Sequence, residues 1–269
     1  MSAPESSPAL SSRVAVVTGA SSGIGAAIAA RLAEAGAAVV INARRAKILH
    51  TLAAELAARH SARCAVVAGD AADPEVIRRL LDTARERFGR EADCVVVNAG
   101  RGLAGSTMTS DMGQWEELYR TNLLGAARLM RAACVRMLGA ERAGASPAPD
   151  WRARARDLVV LGSTVGRHLS PFSSFYGSSK FALHSLAEAL RREVCGSGIR
   201  VTLIEPGIVR TGFQDAAGYD PAGFGAHMEK IGPVLEADDV ARLIPFIVAQ
   251  PAHVHVCDVV VRPTRQDYP

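Results

Sequence analysis

Aromatic residues make up only 5% of the 269-residue sequence, and its five cysteines, Cys64, Cys94, Cys134, Cys195 and Cys257, are scattered and never form a C-x-x-C pair. That pattern excludes a disulfide frame and a cysteine zinc site, leaving the cysteines as small, mostly core residues. Charge of one sign is also missing. Lys and Arg number 31 against 27 Asp and Glu, and the net +4 is spread along the chain, too little for the basic stripe that nucleic-acid binding requires. No run reaches the roughly 18 consecutive apolar residues of a membrane span. Residues 1–12, MSAPESSPALSS, lack the basic and apolar regions of a signal peptide and read as a short disordered leader. The protein is therefore expected to be cytoplasmic, with neither nucleic acid nor membrane as a partner. No metal site is expected either: His253 and His255 form an H-x-H beside the last apolar run with no acidic or Cys partner at ligand spacing.

What is present is an alternation. Short, largely β-branched runs stand at 14–17 (VAVV), 39–41 (VVI), 65–67 (AVV), 94–97 (CVVV), 158–161 (LVVL), 200–204 (RVTLI) and 258–261 (DVVV), separated by helix-length segments. Continuous apolar runs of this kind are strands buried on both faces, and seven of them alternating with helices predict an α/β fold: a doubly wound, seven-stranded parallel sheet with helices on both faces. Residues 13–269 read as a single domain. The fourth helix is expected over about 115–138, and the fifth over about 176–195, stopped by Gly196 and Gly198. Pro147 and Pro149 break periodicity, so 139–156 reads as a surface insert. The irregular stretch 212–233 combines five glycines with Phe213, Tyr219, Phe224 and Met228, which suits a lid over a substrate pocket.

Directly after the first strand stands Thr18-Gly19-Ala20-Ser21-Ser22-Gly23-Ile24-Gly25, followed by the helical run AAIAARLAEAG. Strand, glycine turn and helix in that order are what a dinucleotide site needs. Glycines let the backbone approach a pyrophosphate, and the helix N-terminus faces its charge. At the end of the second strand, where a carboxylate would select a ribose 2′-hydroxyl, the sequence has Ile41-Asn42-Ala43-Arg44-Arg45. Arg44 is the expected fork for a 2′-phosphate, with Ser21, Ser22 and Arg45 as helpers, so NADP(H) is favoured over NAD(H).

TGASSGIG resembles the short-chain dehydrogenase/reductase family, and the resemblance continues in order from residue 13 to 261. It implies a Rossmann-type fold. Asp70 and Ala71 follow the third strand where the family holds the adenine, and Asn98-Ala99-Gly100 stands as its N-A-G, with Val97 in place of a commoner first Asn. Pro206, Gly207, Val209 and Thr211 resemble the segment that fixes the carboxamide. The closing QPAHVHVCDVVVRPTRQ is similar to the subgroup of NADP-dependent 3-hydroxy acid dehydrogenases and clavulanic acid dehydrogenase-like aldehyde reductases.

Ser163, Tyr176 and Lys180 stand at the family's S-Y-K spacing, and Asn122 at the position of its fourth catalytic residue. Tyr and Lys four apart share a helix face, so the Lys180 ammonium is expected to lower the Tyr176 phenol from its usual pKa of about 10 and favour phenolate. Tyr176 would then exchange the proton of the oxygen that receives hydride, while Ser163 hydrogen-bonds that oxygen. Asn122 would hold a water linked to Lys180, and Lys180 would also reach the nicotinamide ribose. The resulting reading is an NADPH-dependent oxidoreductase acting on a small-molecule carbonyl or secondary alcohol. A ketoreductase of the 3-oxoacyl-carrier-protein type and a non-catalytic NADP-binding scaffold are the alternatives. The family's assembly habits and the apolar fourth and fifth helices imply a homotetramer or homodimer.

Overall fold

Apolar runs that must be covered on both faces set the architecture. In the computed structural model, which describes residues 9–142 and 151–268, the strands are β1 (Val14–Thr18), β2 (Ala38–Ala43), β3 (Cys64–Ala68), β4 (Cys94–Val97), β5 (Arg156–Leu161) and β6 (Ile199–Pro206). A two-residue pair follows, β7 (Val209–Arg210) and β8 (Leu235–Glu236), and β9 (Asp258–Val261) closes the main sheet. That sheet has seven strands, all parallel, in the order β3-β2-β1-β4-β5-β6-β9. The expected doubly wound fold is therefore the observed one.

Alternate residues of each strand feed two cores, as the pleat requires. Val14 and Val16 point to the side of α3 (Pro74–Phe88), α5 (Ala126–Arg142) and α6 (Ser174–Val194), where Leu80, Leu129 and Leu183 are buried. Ala15 and Val17 face the other layer, α1 (Gly23–Glu34) and α2 (Ala46–His60) with the C-terminal helices α9 (Ala237–Ala241) and α10 (Leu243–Val248). The chain reverses direction across the sheet between β1 and β4, so the crevice beyond their C-terminal ends is the topological switch point where such sheets bind ligands.

The opposite, N-terminal end of the strands is closed by buried charge. The Arg13 guanidinium bonds Asp93 at 3.0 Å and Asp157 at 2.6 Å, Arg200 bonds both oxygens of Asp157, and Arg154 joins Arg13 on Asp93. Burial, the largest single effect, lowers the Arg13 pKa, but the Asp157 and Asp93 carboxylates together outweigh it, and the net shift is upward. Both arginines also donate to backbone carbonyls after α10, Val248 for Arg13 and Val248, Gln250, Pro251 and Val254 for Arg200.

Four boundaries differ from the sequence reading. The leader is shorter than twelve residues, because Leu10 is buried and its N–H donates to Ala35 O at 2.9 Å, while residues 1–8 lie outside the described residues. The single helix expected over 115–138 is α4 (Trp115–Tyr119), a π turn (Arg120–Gly125) and α5. The insert narrows, since α5 runs to Arg142 and β5 starts at Arg156, with residues 143–150 outside the described residues. The stretch 212–233 is helical rather than irregular: α7 (Phe213–Ala217) and α8 (Pro221–Ile231), the latter capped by Asp220, whose carboxylate accepts the Gly223 N–H at 2.8 Å.

Candidate active site

The glycine turn is held against β4 by a side-chain strap. The Thr18 hydroxyl donates to Val96 O and accepts the N–H groups of Asn98 and Ala99, both at 3.1 Å, and the Asn98 amide donates to Thr18 O at 2.8 Å. Only glycine fits beneath that amide. A Cβ on Gly19, whose φ is +69°, would lie 2.7 Å from Asn98 Nδ2, and one on Gly25 would lie 2.5 Å from it. Gly23 abuts Thr211, so the first turn of α1 meets the segment after β6. Ile24 is partly buried in the core on that side. The expected residues Gly19, Ser21, Ser22, Gly23, Gly25, Asn98, Ala99 and Thr211 thus converge on the switch point.

The arginine pair divides its work. Arg45 donates to Ser21 Oγ at 2.9 Å and Ser22 Oγ at 3.1 Å, tying β2 to the glycine turn. Arg44 lies on the exposed surface and acts electrostatically on Asp70. Asp70 accepts the Ala72 N–H at 2.9 Å, closing a turn around Ala71, and pairs with Arg120 on the π turn. Although burial raises the Asp70 carboxyl, those two hydrogen bonds hold it below its ordinary value.

Asn122 occupies the same π turn and is buried. Its Oδ1 accepts the Arg101 N–H at 2.8 Å, and its Nδ2 donates to Arg101 O at 2.8 Å and Ser179 Oγ at 3.1 Å. The amide thereby ties the segment after β4 to α6, and Gly100 packs against its Oδ1.

Ser163 leaves β5 as the cap of a short 3-10 turn (Thr164–Gly166), and Tyr176 and Lys180 stand one turn apart on α6. The Tyr176 phenol lies near the Ser163 side chain, which acts to lower its pKa. The relation to Lys180 differs from the expected one. Burial raises the phenol above its ordinary pKa, the Ser163 side chain opposes this, and Tyr219 adds to the rise. The Lys180 Nζ donates instead to Leu161 O at 2.7 Å, 5.9 Å from the Tyr176 ring centroid, and burial pulls it down to about 8. Burial dominates the phenol's shift, and Tyr176 is a neutral phenol at pH 7.

α7, in the stretch expected as a lid, packs against this group. Phe213 on α7 sits with its ring centroid 5.3 Å from that of Tyr176, and Gly102 leaves room for it, since a Cβ there would lie 2.7 Å from Phe213 Cζ. Tyr219, between α7 and α8, is raised by burial, with the nearby Ser173 side chain opposing the shift. A cavity of about 140 Å³ beside α7 and α8 is lined by Thr211, Gln214, Tyr219, Phe224 and Met228.

Three site residues escaped the sequence reading. Gln266, buried, accepts the Ile208 N–H at 2.9 Å, and a Cβ on Gly207 would collide with it at 2.3 Å. This side chain clamps the turn that joins Pro206 at the end of β6 to Val209 in β7. The RPTRQ run holding Gln266 was the signal, read only as a resemblance. His184 and Glu205 lie behind Ser163: His184 Nε2 accepts the Ser163 N–H at 3.3 Å, and its Nδ1 faces Glu205 Oε2 at 3.7 Å. As for His255, its ring bonds Val201 O at 3.0 Å. Among the described residues no group of three or more His, Cys, Asp or Glu could hold a metal ion, and no helix is long and apolar enough to cross a membrane.

Comparison with known proteins adds the following. The short chain dehydrogenase family profile matches residues 13–221. Sulfoacetaldehyde reductase 2 of Chromohalobacter salexigens is 35% identical over 257 residues, covering 95% of this chain and 96% of that protein. Among solved structures, an alcohol dehydrogenase of the archaeon Thermococcus sibiricus, complexed with 5-hydroxy-NADP, superposes with a TM-score of 0.79 at 28% identity, over 96% of this chain and 99% of the other. L-sorbose reductase of Gluconobacter frateurii, complexed with NADPH and L-sorbose, gives 0.78 at 26% identity, over 96% and 97%.

Proposed function

The chain belongs to the short-chain dehydrogenase family and is an oxidoreductase of that type, and from that premise we propose that it uses NADP(H) to interconvert a small-molecule carbonyl and its alcohol, with Tyr176 as the acid/base. The observation that carries this reading is that Tyr176 lies near enough to Ser163 for the serine side chain to lower the phenol's pKa, with Lys180 one turn further along α6 and its Nζ 5.9 Å from the phenol ring centroid.

The residues present fit the cofactor. Gly19 and Gly25 form a turn no side chain could enter, backed by the N-terminus of α1, which favours a pyrophosphate. Arg44 and Arg45, with Ser21 and Ser22, would hold the 2′-phosphate, and Asp70 and Ala71 the adenine. Asn98, Ala99 and Gly100 line the floor, while Pro206, Gly207, Val209 and Thr211 would hold the carboxamide. When bound, the dinucleotide supplies or accepts the hydride.

In the reducing direction the neutral Tyr176 phenol gives its proton to the carbonyl oxygen as charge develops there. Ser163 Oγ donates a second hydrogen bond to the same oxygen. Lys180, charged below pH about 8, offsets the phenolate left behind and returns a proton to it. In the oxidising direction these transfers reverse. Phe213 and the lid keep water from the reacting atoms.

We place the protein in the cytoplasm as a homotetramer or homodimer. Leu124, Val135, Phe181 and Leu186 are exposed apolar residues on the π turn, α5 and α6, a surface that association would cover. The functional test is NADPH oxidation followed at 25 °C against aldehydes, ketones and keto acids, with sulfoacetaldehyde and L-sorbose among them. Turnover of at least one carbonyl supports the reading, and none across the panel by a folded, NADPH-binding protein opposes it.

A further inference from the structure

Tyr176, Lys180 and His184 occur at i, i+4 and i+8 on α6, so one face of the helix carries all three. The first two point into the site. His184 lies behind it, in a seat whose walls are made by the absence of side chains. A Cβ on Gly162 would stand 2.3 Å from His184 Nε2, and one on Gly166 would stand 2.4 Å from Cε1. These glycines flank Ser163 at both ends of its 3-10 turn, and the imidazole fills the space they leave.

The ring's chemistry is defined by its neighbours. The Ser163 backbone N–H donates to Nε2 at 3.3 Å, so the proton of the neutral ring sits on Nδ1. That side faces Glu205 Oε2 at 3.7 Å. Glu205 is fully buried at the end of β6 and is held bidentately by Arg167, Nε to Oε2 at 2.9 Å and Nη2 to Oε1 at 2.5 Å. The charged groups acting on the ring are Glu205, Lys180 and Arg167. Burial is the largest effect and lowers the imidazole to about 4, so it is neutral and an acceptor at working pH.

We propose that His184 is a positioning residue for Ser163: seated between Gly162 and Gly166, its imidazole grips the Ser163 N–H and thereby sets the direction from which the Ser163 hydroxyl meets Tyr176. Arg167 and Glu205 hold the imidazole from behind. The carboxylate, 3.7 Å from Nδ1, favours the proton there by its charge, in keeping with the lone pair that Nε2 presents to the Ser163 N–H. A conformational error of about 1 Å at a catalytic group is enough to cost on the order of a hundredfold in rate, so an acceptor that pins the serine's own backbone has direct leverage on turnover. The proposal rests on the reading of Ser163 and Tyr176 as the reacting pair.

The test compares four changes at two positions, using NADPH and the best carbonyl from the panel. His184→Gln keeps an acceptor within reach of the Ser163 N–H. His184→Asn is polar but too short, and His184→Leu fills the volume with no acceptor. Ser163→Ala supplies a background in which a hydroxyl no longer needs positioning. We expect Asn and Leu to lower kcat about tenfold or more, with the KM for NADPH within about twofold, and Gln to recover kcat to within about threefold of the wild type. In the Ser163→Ala background His184→Asn should remove less than about twofold further, because the two residues act through one group. If Gln and Asn are equally impaired, if Asn retains wild-type kcat, or if the loss is the same in both backgrounds, His184 does not act through Ser163. The Gln and Asn variants decide the matter even if the Leu variant does not fold. Retained turnover in Tyr176→Phe would instead overturn the underlying catalytic reading, which separates the two failures.

Discussion

The Gln266 side chain reaches back from beyond the last strand to accept the Ile208 N–H at 2.9 Å, in space that only Gly207 leaves open. The C-terminal segment therefore shapes the turn proposed to fix the carboxamide. Losing one such bond to a buried partner costs about 1–3 kcal/mol. Gln266→Ala is expected to raise the NADPH Kd about tenfold by fluorescence titration while the melting temperature moves by only a few degrees. An unchanged Kd would detach the tail from the cofactor site.

Cofactor choice is expected to follow Arg44. Arg45 is engaged with Ser21 and Ser22, which leaves the exposed Arg44 as the direct partner of a 2′-phosphate. Arg44→Ala removes a charge-assisted contact of roughly 1.5–3 kcal/mol, so the ratio of kcat/KM for NADPH over NADH should fall about ten- to a hundredfold. Equal losses with both dinucleotides would contradict the assignment.

Much of this was legible in the sequence, for physical reasons that also mark where legibility ends. Strands such as 94–97 announce themselves because both faces must be apolar, and β4 has the expected bounds. Ser163, Tyr176 and Lys180 are close in sequence, so their spacing carries the geometry. His184 is one of seven histidines in the chain, and its meaning comes from Gly162, Gly166 and Glu205, which only the packing of α6 on β5 and β6 brings together. The π turn around Asn122 has no compositional signature, because its register is imposed by the tie to Arg101 and Ser179. Helix periodicity and the S-Y-K spacing pair Lys180 with Tyr176. The carbonyl of Leu161, on a different element, is the nearer partner.

Asp157 joins Arg13 and Arg200 below the sheet, far along the strands from the catalytic end. Asp157→Ala takes the carboxylate from the buried Arg200 guanidinium and leaves Arg13 with Asp93, and breaking a buried pair of this kind costs about 3–5 kcal/mol. Denaturant melts should show that loss. Turnover per folded molecule should stay within about twofold, since the network touches no site residue. A variant as stable as the wild type would mean that the backbone carbonyls around Arg200 suffice.

The pH profile is expected to report Lys180. Burial lowers the ammonium to about 8, so it is charged below that pH and lost as pH rises through it. The kcat for carbonyl reduction should fall above pH about 8, and Lys180→Arg, permanently charged, should lack that limb at a lower plateau. A wild-type profile flat to pH 9.5 would remove Lys180 from the proton path.

The most direct test of the account is the single-turnover rate of Tyr176→Phe beside its NADPH affinity. The substitution deletes one hydroxyl, the proposed proton donor beside Ser163, and leaves the ring that packs under Phe213. The account predicts a fall in carbonyl reduction of about a hundred- to ten-thousandfold with NADPH Kd within about threefold of the wild type. A Tyr176→Phe enzyme that keeps its rate within tenfold would contradict it, and the acid/base would have to be sought elsewhere in the cleft.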